Sequence, residues 1–234
     1  MAVQQGLKQR INFTGCSGIG KTTIAKEISK RYNLPFVSGS YSDLVPETKN
    51  LPHVDMIGQD AKKIFEQDTQ VLNLRNKSFK EYPDGFVSDR SYLDSAAYMI
   101  QKLSHRLPEC EVEDFVEKCR VLTLLQCDKV IFLPFTLEAM VKWDIEDNNK
   151  RIKNRFYQAE ITSIIGWVIE YWKAEFVSLI EKDNLVWRMS GTVLTTSPRH
   201  PSNQQLCSTD ILVVSELNYA KRLEIIEKFL NDEY

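Results

Sequence analysis

One short segment near the start of the chain constrains the fold more than any other feature. Residues 15–22 read GCSGIGKT and match the pattern G-x-x-x-x-G-K-[ST] at every position. Glycine lets the backbone turn tightly, so successive N–H groups can point at phosphate oxygens, and a helix that begins at the loop adds partial positive charge. The pattern therefore requires a strand before it and a helix after it, and it predicts a site for a nucleoside triphosphate.

The residues on either side of this segment meet that requirement. Residues 9–14 (QRINFT) have the pattern of a short strand, and residues 20–32 carry apolar side chains at helical spacing. Lys21 is expected to reach the β- and γ-phosphates of ATP, and the hydroxyl of Thr22 is expected to ligate Mg²⁺. The residues expected to bind the nucleotide are Gly15, Ser17, Gly18, Ile19, Gly20, Lys21, Thr22 and Thr23.

Short apolar runs alternate with helical patterns along the rest of the chain. Further strands are expected at 34–37, 86–88, 129–135 and 185–189, and further helices at 59–80, 92–103, 111–125, 156–180 and 216–230. Residues 40–57 and 192–206 lack a clear period and are expected to be irregular. The alternation is typical of a parallel sheet with helices on both faces. No repeat or linker divides the chain, so one domain is expected over 1–234, with a C-terminal extension at about 192–234.

The composition is that of an ordinary globular protein and argues against several classes. The 30 Lys and Arg residues nearly balance the 32 Asp and Glu residues, for a net charge of −2. A protein that holds duplex DNA or an anionic membrane by bulk positive charge would be more basic. No stretch of 18 apolar residues is present, so no membrane span is expected. The five cysteines lack C-x-x-C spacing, which favours reduced thiols in the cytoplasm over a disulfide framework or a zinc site.

A second candidate element follows the apolar run at 86–88. Asp89 and Arg90 stand where a hydrolytic ATPase usually carries two acids, one for Mg²⁺ and one to activate water. Arginine binds phosphate oxygens in a bidentate way, so the pair favours phosphoryl transfer to a second molecule over attack by water. Asp89 would either hold the Mg²⁺ shell or take the proton of an acceptor hydroxyl. The alternative for the pair is a surface salt bridge or a helix cap.

A basic segment lies between the run at 129–135 and the long helical pattern at 156–180. Residues 150–155 read KRIKNR, and a mobile basic lid, expected at about 140–156, would neutralise charge on the phosphoryl group and exclude water. Arg151 is expected to act on that group and Arg155, four residues later on the same helical face, to bind the nucleotide. The alternative is a solvated charged segment.

Three segments together give the chain a family resemblance. The loop GCSGIGKTT, the strand end SDRSYLDSAAYM and the later IEDNNKRIKNRFYQ, in this order, resemble the P-loop nucleoside and nucleotide kinases. The likeness is greatest to the AAA-type ATPase/kinase group common in phages and bacteria, and it is more distant to the thymidylate kinases and deoxynucleoside kinases. It covers roughly residues 9–190 of the chain.

The resemblance implies a fold and a set of roles. The fold is a three-layer α/β sandwich with a five-stranded parallel sheet, helices on both faces and a helical lid. Lys21 and the loop amides would bind the phosphates of ATP, and Thr22 would ligate Mg²⁺. Asp89 matches the acid of an Asp-Arg-Ser element, Arg90 its phosphate-binding arginine, and Arg151 a lid arginine.

The acceptor is the part of the reaction that the sequence leaves open. Many members of the family carry an acid and an arginine soon after the second strand, whereas residues 38–43 contain Asp43 but no arginine. A kinase acting on a nucleoside or a nucleoside monophosphate is favoured by the near-zero net charge, because binding a nucleic-acid backbone needs several cationic contacts. The alternatives are a kinase acting on a DNA end or on a hydroxymethylated base in DNA, and a non-catalytic ATP-binding regulator. The sequence does not set the oligomeric state.

Overall fold

The computed structural model describes residues 9–45, 60–142, 154–172, 176–181, 184–197 and 200–232. Its strands are β1 (Arg10–Thr14), β2 (Phe36–Val37), β3 (Phe86–Ser88), β4 (Lys129–Phe132), β5 (Phe176–Glu181), β6 (Asn184–Ser197) and β7 (His200–Val213). Its helices are α1 (Lys21–Tyr32), α2 (Tyr41–Leu44), α3 (Ala61–Lys80), α4 (Tyr92–Leu103), α5 (Glu109–Gln126), α6 (Leu137–Lys142), α7 (Arg155–Tyr171) and α8 (Tyr219–Leu230). Most of the expected elements are therefore confirmed to within a few residues.

All seven of these strands belong to one sheet, in the order β2-β3-β1-β4-β7-β6-β5. The first five strands in that order run parallel, as expected, and the β6 and β5 strands extend the sheet in antiparallel orientation. The β1 strand lies in the middle of the parallel part, with Ile11 opposite Val87 on one side and Lys129 on the other. The phosphate-binding motif therefore starts from a central strand.

The C-terminal part of the sheet differs from the sequence-based expectation in two places. The predicted helix at 156–180 ends at Tyr171, and residues 176–181 form β5. The segment reads FVSLIE, and so short an apolar run does not distinguish a strand from a helix. Of the predicted loop at 192–206, residues 192–197 lie in β6 and residues 200–206 lie in β7. The threonines at 192, 195 and 196 are β-branched and suit a strand as well as a loop.

The fifth parallel strand is also not the one expected. Residues 185–189 do form a strand, but it is part of β6 and runs antiparallel to its neighbours. The parallel partner of β4 is β7, with Lys129 opposite Asp210 and Phe132 opposite Val213. Residues 192–234, expected as a C-terminal extension, thus supply one of the five parallel strands.

Helices cover both faces of the sheet, as expected for a three-layer sandwich. On one face, α1 and α8 bury apolar side chains against the sheet, among them Ile24, Ile28, Leu223 and Ile226. On the other face, α3, α4, α5 and α7 form a second core, with the buried residues Leu72, Met99, Phe115 and Ile165. None of the described helices is both long enough and apolar enough to cross a membrane.

The sheet brings the ends of three strands to one edge. The β1, β2 and β3 strands are parallel neighbours, so their carboxyl ends point the same way. In open α/β sheets this edge is where ligands bind. The residues that follow the three strands are the phosphate loop, the segment 38–40 that we name the β2 loop, and the Asp-Arg-Ser element.

The predicted lid falls largely in a part of the chain that the structure does not describe. Of the residues at 140–156, those at 143–153 lie outside the described ranges. Arg151 is among them, so its expected role stays a prediction. Arg155 is described as the first residue of α7, where it is exposed.

Candidate active site

The phosphate loop runs from the end of β1 to the start of α1. Gly18 and Gly20 have φ angles of 85° and 92°, in the left-handed region that favours glycine. Gly15 has a φ of 143° and faces a second constraint, because a Cβ atom there would collide with the carbonyl oxygen of Leu133, just beyond β4. The glycines of the loop thus serve two purposes, since all three adopt positive φ angles and Gly15 also lets the loop pass close to the end of β4.

Lys21 is buried at the start of α1 and folds back over the loop. Its side chain is 5% exposed, and Nζ donates hydrogen bonds to the carbonyl oxygens of Gly15 at 2.7 Å and Cys16 at 2.5 Å. Burial, together with the positive charge of Arg90, lowers the pKa of Lys21 to about 7. A polyphosphate bound in the loop would place negative charge beside this amine and favour its protonated form.

Asp89 follows β3 and joins two parts of the site. Its Oδ2 accepts a hydrogen bond from the Thr22 hydroxyl at 2.6 Å, and its Oδ1 accepts one from the backbone N–H of Gly39 at 3.1 Å. A carboxylate and a hydroxyl oxygen side by side are hard donors of the kind that Mg²⁺ prefers, and this ion usually takes only one or two protein ligands. The two expected metal ligands therefore lie together, and their chemistry fits the ion.

Arg90 is held in place by Asp94, a residue that the sequence analysis did not identify. Arg90 Nη1 donates to Asp94 Oδ1 at 3.0 Å, and the N–H of Gly15 donates to the same oxygen at 3.4 Å. Burial opposes the charge of Arg90, but Tyr98, Asp94 and Asp89 raise its pKa above the ordinary value. The phosphate loop and the arginine thus share one buried carboxylate.

The start of α4 carries a helix cap, which is one of the alternative explanations given for the Asp-Arg pair. Ser91 caps the helix, because its Oγ accepts a hydrogen bond from the N–H of Leu93 at 3.1 Å, and Asp94 completes a capping box. Asp89 and Arg90 are not part of the cap and lie at the phosphate loop. The cap explanation therefore applies to Ser91 and Asp94 and not to the Asp-Arg pair.

Arg75 is a second residue that the sequence analysis missed. It lies on the buried side of α3, is 4% exposed, and donates to the carbonyl oxygens of Gly39 at 2.8 Å and Ser91 at 3.0 Å and to the Ser95 hydroxyl. It therefore ties the β2 loop to the start of α4. The signal in the sequence is an arginine inside the apolar stripe of a helix, where burial with hydrogen-bonded partners is the usual explanation.

The remaining polar groups on this side form a cluster between α3 and α4. Lys102 Nζ donates to both carboxylate oxygens of Asp68 at 2.9 Å. The ring of Tyr98 lies 5.8 Å from the guanidinium of Arg90 and 5.9 Å from the amine of Lys102. Burial, together with the charge of Asp68, raises the pKa of Tyr41 on α2. The ring of Tyr98 thus connects the Lys102–Asp68 pair to Arg90.

The structure brings most of the expected residues together. Lys21, Asp89 and Arg90 interact electrostatically with one another, and Thr22 is hydrogen-bonded to Asp89. Ser17 and Ile19 are half-buried in the loop, and Thr23 is exposed in the first turn of α1. These expected binding residues all lie in or directly after the loop.

Comparisons with known proteins agree with this architecture. The sequence matches the AAA domain family over residues 10–182, and no curated protein matches it. Deoxyadenosine kinase from M. mycoides has a similar fold. With the products dCMP and a flexible dCDP bound, it gives a TM-score of 0.61 at 16% identity, over 95% of this chain and 99% of that chain. With dATP bound it gives 0.57 at 17% identity, over the same shares.

A more distant likeness covers part of a larger protein. NadR protein in complex with NR gives a TM-score of 0.50 at 12% identity, over 72% of this chain and 42% of that chain. Likenesses at these identities establish the fold, and the resemblance proposed from the three sequence segments is confirmed at that level. Because the family match spans most of the chain, the protein belongs to the AAA domain family.

Proposed function

We propose that the chain is an ATP- and Mg²⁺-dependent kinase that transfers a phosphoryl group to a hydroxyl group of a nucleoside. The observation that carries this proposal is the double contact of Asp89. One of its oxygens bonds to Thr22 of the phosphate loop and the other to the N–H of Gly39 in the β2 loop. A carboxylate between these two loops is placed to serve both the nucleotide and a second substrate.

Each residue of the phosphate side has a role in this proposal. The loop amides and Lys21 bind the triphosphate, and Thr22 and Asp89 hold the Mg²⁺ ion. When bound, the ion would neutralise charge on the phosphate oxygens. Asp89 serves as a metal ligand or as the group that takes the acceptor proton. Arg151 and Arg155 are proposed to close over the nucleotide and exclude water.

The residue after Asp89 favours transfer to an acceptor over hydrolysis. Arg90 is a guanidinium, oriented by its bond to Asp94 and half-buried near Lys21. Preorganised positive groups of this kind stabilise charge on a phosphoryl group in the transition state. A second carboxylate at this place would favour activation of water, and Asp94 is unsuited to that task because it already accepts hydrogen bonds from four groups.

The charges beside the β2 loop favour a nucleoside over a nucleoside monophosphate. Of the described basic residues there, Arg90 is already assigned to the transferred phosphoryl group, Lys102 is paired with both oxygens of Asp68, and Arg75 is bonded to carbonyl oxygens. A phosphate acceptor would bring further negative charge and would need cations that are not already paired. A neutral acceptor hydroxyl does not have this requirement. The deoxyadenosine kinase that shares the fold supports the same substrate class.

Other features support a small acceptor and an intracellular setting. The net charge of −2 gives little attraction for a nucleic-acid backbone. Cys16, Cys110, Cys119 and Cys127 are free thiols, which fits a reducing compartment, so we propose a cytoplasmic location.

A transfer assay tests the proposal directly. The protein is incubated with γ-labelled ATP, Mg²⁺ and separate pools of nucleosides, nucleoside monophosphates and oligonucleotides. We expect label in the nucleoside pool. Label only in monophosphates or only in oligonucleotides would replace the proposed acceptor, and bound ATP without transfer to any pool would favour a regulator.

The same assay has a matched pair of variants. Lys21→Ala removes the buried amine at the loop and is expected to lower turnover by about a hundredfold or more. Lys30→Ala removes an exposed amine from the same helix and is expected to leave turnover unchanged. Near-normal turnover in Lys21→Ala would overturn the phosphate-loop assignment.

A further inference from the structure

The last helix of the chain carries an arginine that contacts the phosphate loop. Arg222 lies near the start of α8 and is 6% exposed. Its Nη1 donates to the carbonyl oxygen of Ile19 at 2.9 Å, across 203 residues of sequence, and its Nε donates to the carbonyl oxygen of Glu216. A Cβ atom on Gly20 would lie 3.8 Å from Nη1. The guanidinium therefore lies directly beside the backbone of the loop.

This contact fixes the orientation of one peptide group. The peptide bond between Ile19 and Gly20 is trans and planar, so its C=O and N–H point in opposite directions. Because Arg222 holds the carbonyl on the side of α8, the N–H of Gly20 points to the other side. Glycine has no side chain to restrict rotation of this peptide, so a bond from outside the loop is needed to hold it.

The position of Arg222 is unfavourable for a residue that only fills space. In the part of the chain that the structure describes, its Nη2 is buried and has no hydrogen-bond partner. An unpaired buried donor lowers stability, and an apolar side chain would avoid this cost. The donor at Nη1 and the permanent charge beside the loop are what an apolar replacement would lose.

We propose that Arg222 is a positioning residue for nucleotide binding, which holds the Gly20 N–H in the orientation needed to contact a phosphate oxygen. The proposal rests on the nucleotide site of the proposed function. It adds that the site is incomplete without the C-terminal helix, which no part of the motif itself reveals.

Two substitutions separate positioning from simple packing. Arg222→Met keeps much of the side-chain length but has neither the charge nor the donor, and Arg222→Lys keeps both in a simpler form. Affinity is measured for ADP and for inorganic pyrophosphate, which carries phosphates alone, and the backbone amide of Gly20 is followed by ¹H–¹⁵N NMR. We expect Arg222→Met to bind both ligands about tenfold more weakly or worse and to shift the Gly20 signal. Arg222→Lys should recover part of the lost affinity, and its Gly20 signal should lie closer to that of the wild type.

A control and two contrary results complete the test. Lys228→Met changes an exposed residue of the same helix and should leave affinity and the Gly20 signal unchanged. Equal affinity in the wild type and in Arg222→Met would overturn the positioning role while leaving the proposed function intact. Equal losses in both Arg222 variants without a shift of the Gly20 signal would also overturn it. If the wild type binds neither ligand, the proposed function itself fails.

If Arg222→Met does not fold, Arg222→Lys still decides the question. A shifted Gly20 amide with weaker pyrophosphate binding supports the positioning role, and an unshifted amide with full affinity contradicts it.

Discussion

The hydroxyl of Thr22 donates a hydrogen bond of 2.6 Å to the carboxylate of Asp89, although 67 residues separate the two in sequence. Thr22 is exposed in the first turn of α1, and Asp89 is 5% exposed at the end of β3. The bond therefore joins the open side of the phosphate loop to a buried charge. A metal ion held by both oxygens would take the place of that proton.

Asp89→Asn tests this relationship. The amide keeps the shape of the side chain but has no charge for a metal, and its NH₂ group cannot accept the hydrogen bonds that both carboxylate oxygens now receive. We expect kcat to fall by about a hundredfold or more, with little change in the affinity for ATP measured without Mg²⁺. Asp114→Asn, on an exposed face of α5, is the control. An unchanged kcat would remove Asp89 from the catalytic site.

The lowered pKa of Lys21 predicts that the protein takes up a proton when it binds a nucleotide. With a pKa of about 7 in the free protein, the amine is mostly neutral at pH 8, and the triphosphate stabilises its charged form. Calorimetry in two buffers with different ionisation enthalpies should show uptake of up to about one proton at pH 8 and much less at pH 6. Lys21→Arg stays charged throughout and should lose the uptake. Equal uptake in both proteins would contradict this source of the proton.

The same lowered pKa sets a pH dependence of stability. Between about pH 7 and the ordinary value of 10.5, the unfolded chain binds more protons at Lys21 than the folded chain. The contribution of Lys21 to the free energy of unfolding should therefore rise with pH across this window and be lowest below pH 7. Urea denaturation of the wild type and of Lys21→Met at pH 6.5 and 8.5 measures it, and a difference between the two proteins that does not change with pH would contradict it.

The close packing around Gly39 predicts that a substitution there impairs the use of the acceptor more than the binding of ATP. A Cβ there would lie 2.5 Å from Cβ of Arg90 and 3.1 Å from the Ser88 hydroxyl. Gly39→Ala must therefore displace the β2 loop and strain its bonds to Asp89 and Arg75. We expect kcat/KM for the acceptor to fall by about tenfold or more while ATP affinity changes less. A larger loss of ATP affinity than of kcat/KM for the acceptor would contradict this assignment.

Gly166 provides the matched control for that substitution. A Cβ at this position in α7 would meet nothing within 4 Å. Because alanine favours a helix more than glycine does, Gly166→Ala should stabilise the protein by about 0.5–1 kcal/mol and leave the kinetics unchanged. The melting temperature should therefore be lower than that of the wild type in Gly39→Ala and higher in Gly166→Ala.

The hydrogen bonds of Arg75 predict that its replacement lowers the stability of the protein strongly, although no contact with a ligand is assigned to it. Arg75→Met leaves the carbonyl oxygens of Gly39 and Ser91 without the partners they now have, at a cost of about 1–3 kcal/mol each. Urea denaturation should show a loss of about 2–5 kcal/mol. Lys80→Met, on the exposed side of the same helix, should change little. A loss as small as that of the control would show that these bonds contribute little to folding.

Local patterns in the sequence were enough to predict most of the elements that surround the site. The β3 strand and the α4 helix match their expected ranges residue for residue, because apolar periodicity and a serine cap are properties of adjacent residues. Residues 185–189 of β6 were predicted as a strand, but the rest of β6 and the whole of β7 were missed, because their stability depends on pairing with each other and not on a local pattern. The parallel sheet was predicted correctly even though one of its strands was not.

The residues that support the site were harder to predict than those that form it. Lys21, Thr22 and Asp89 stand in recognisable motifs, whereas Arg75 and Arg222 reach backbone carbonyls 36 and 203 residues away. Such contacts depend on how helices pack against the sheet. Asp94 is intermediate, because the spacing of Ser91 and Asp94 is visible as a capping box while the bond from Gly15 is not.

Gly15 has a consequence for how the motif itself is understood. The carbonyl oxygen of Leu133 occupies the space that a side chain at Gly15 would need, so the first glycine is required by the neighbouring strand whether or not a nucleotide binds. A descendant of this protein that had lost all affinity for phosphate would still need glycine at that position in order to fold. The first glycine of the motif is thus explained by how the loop packs against the sheet, independently of the ligand.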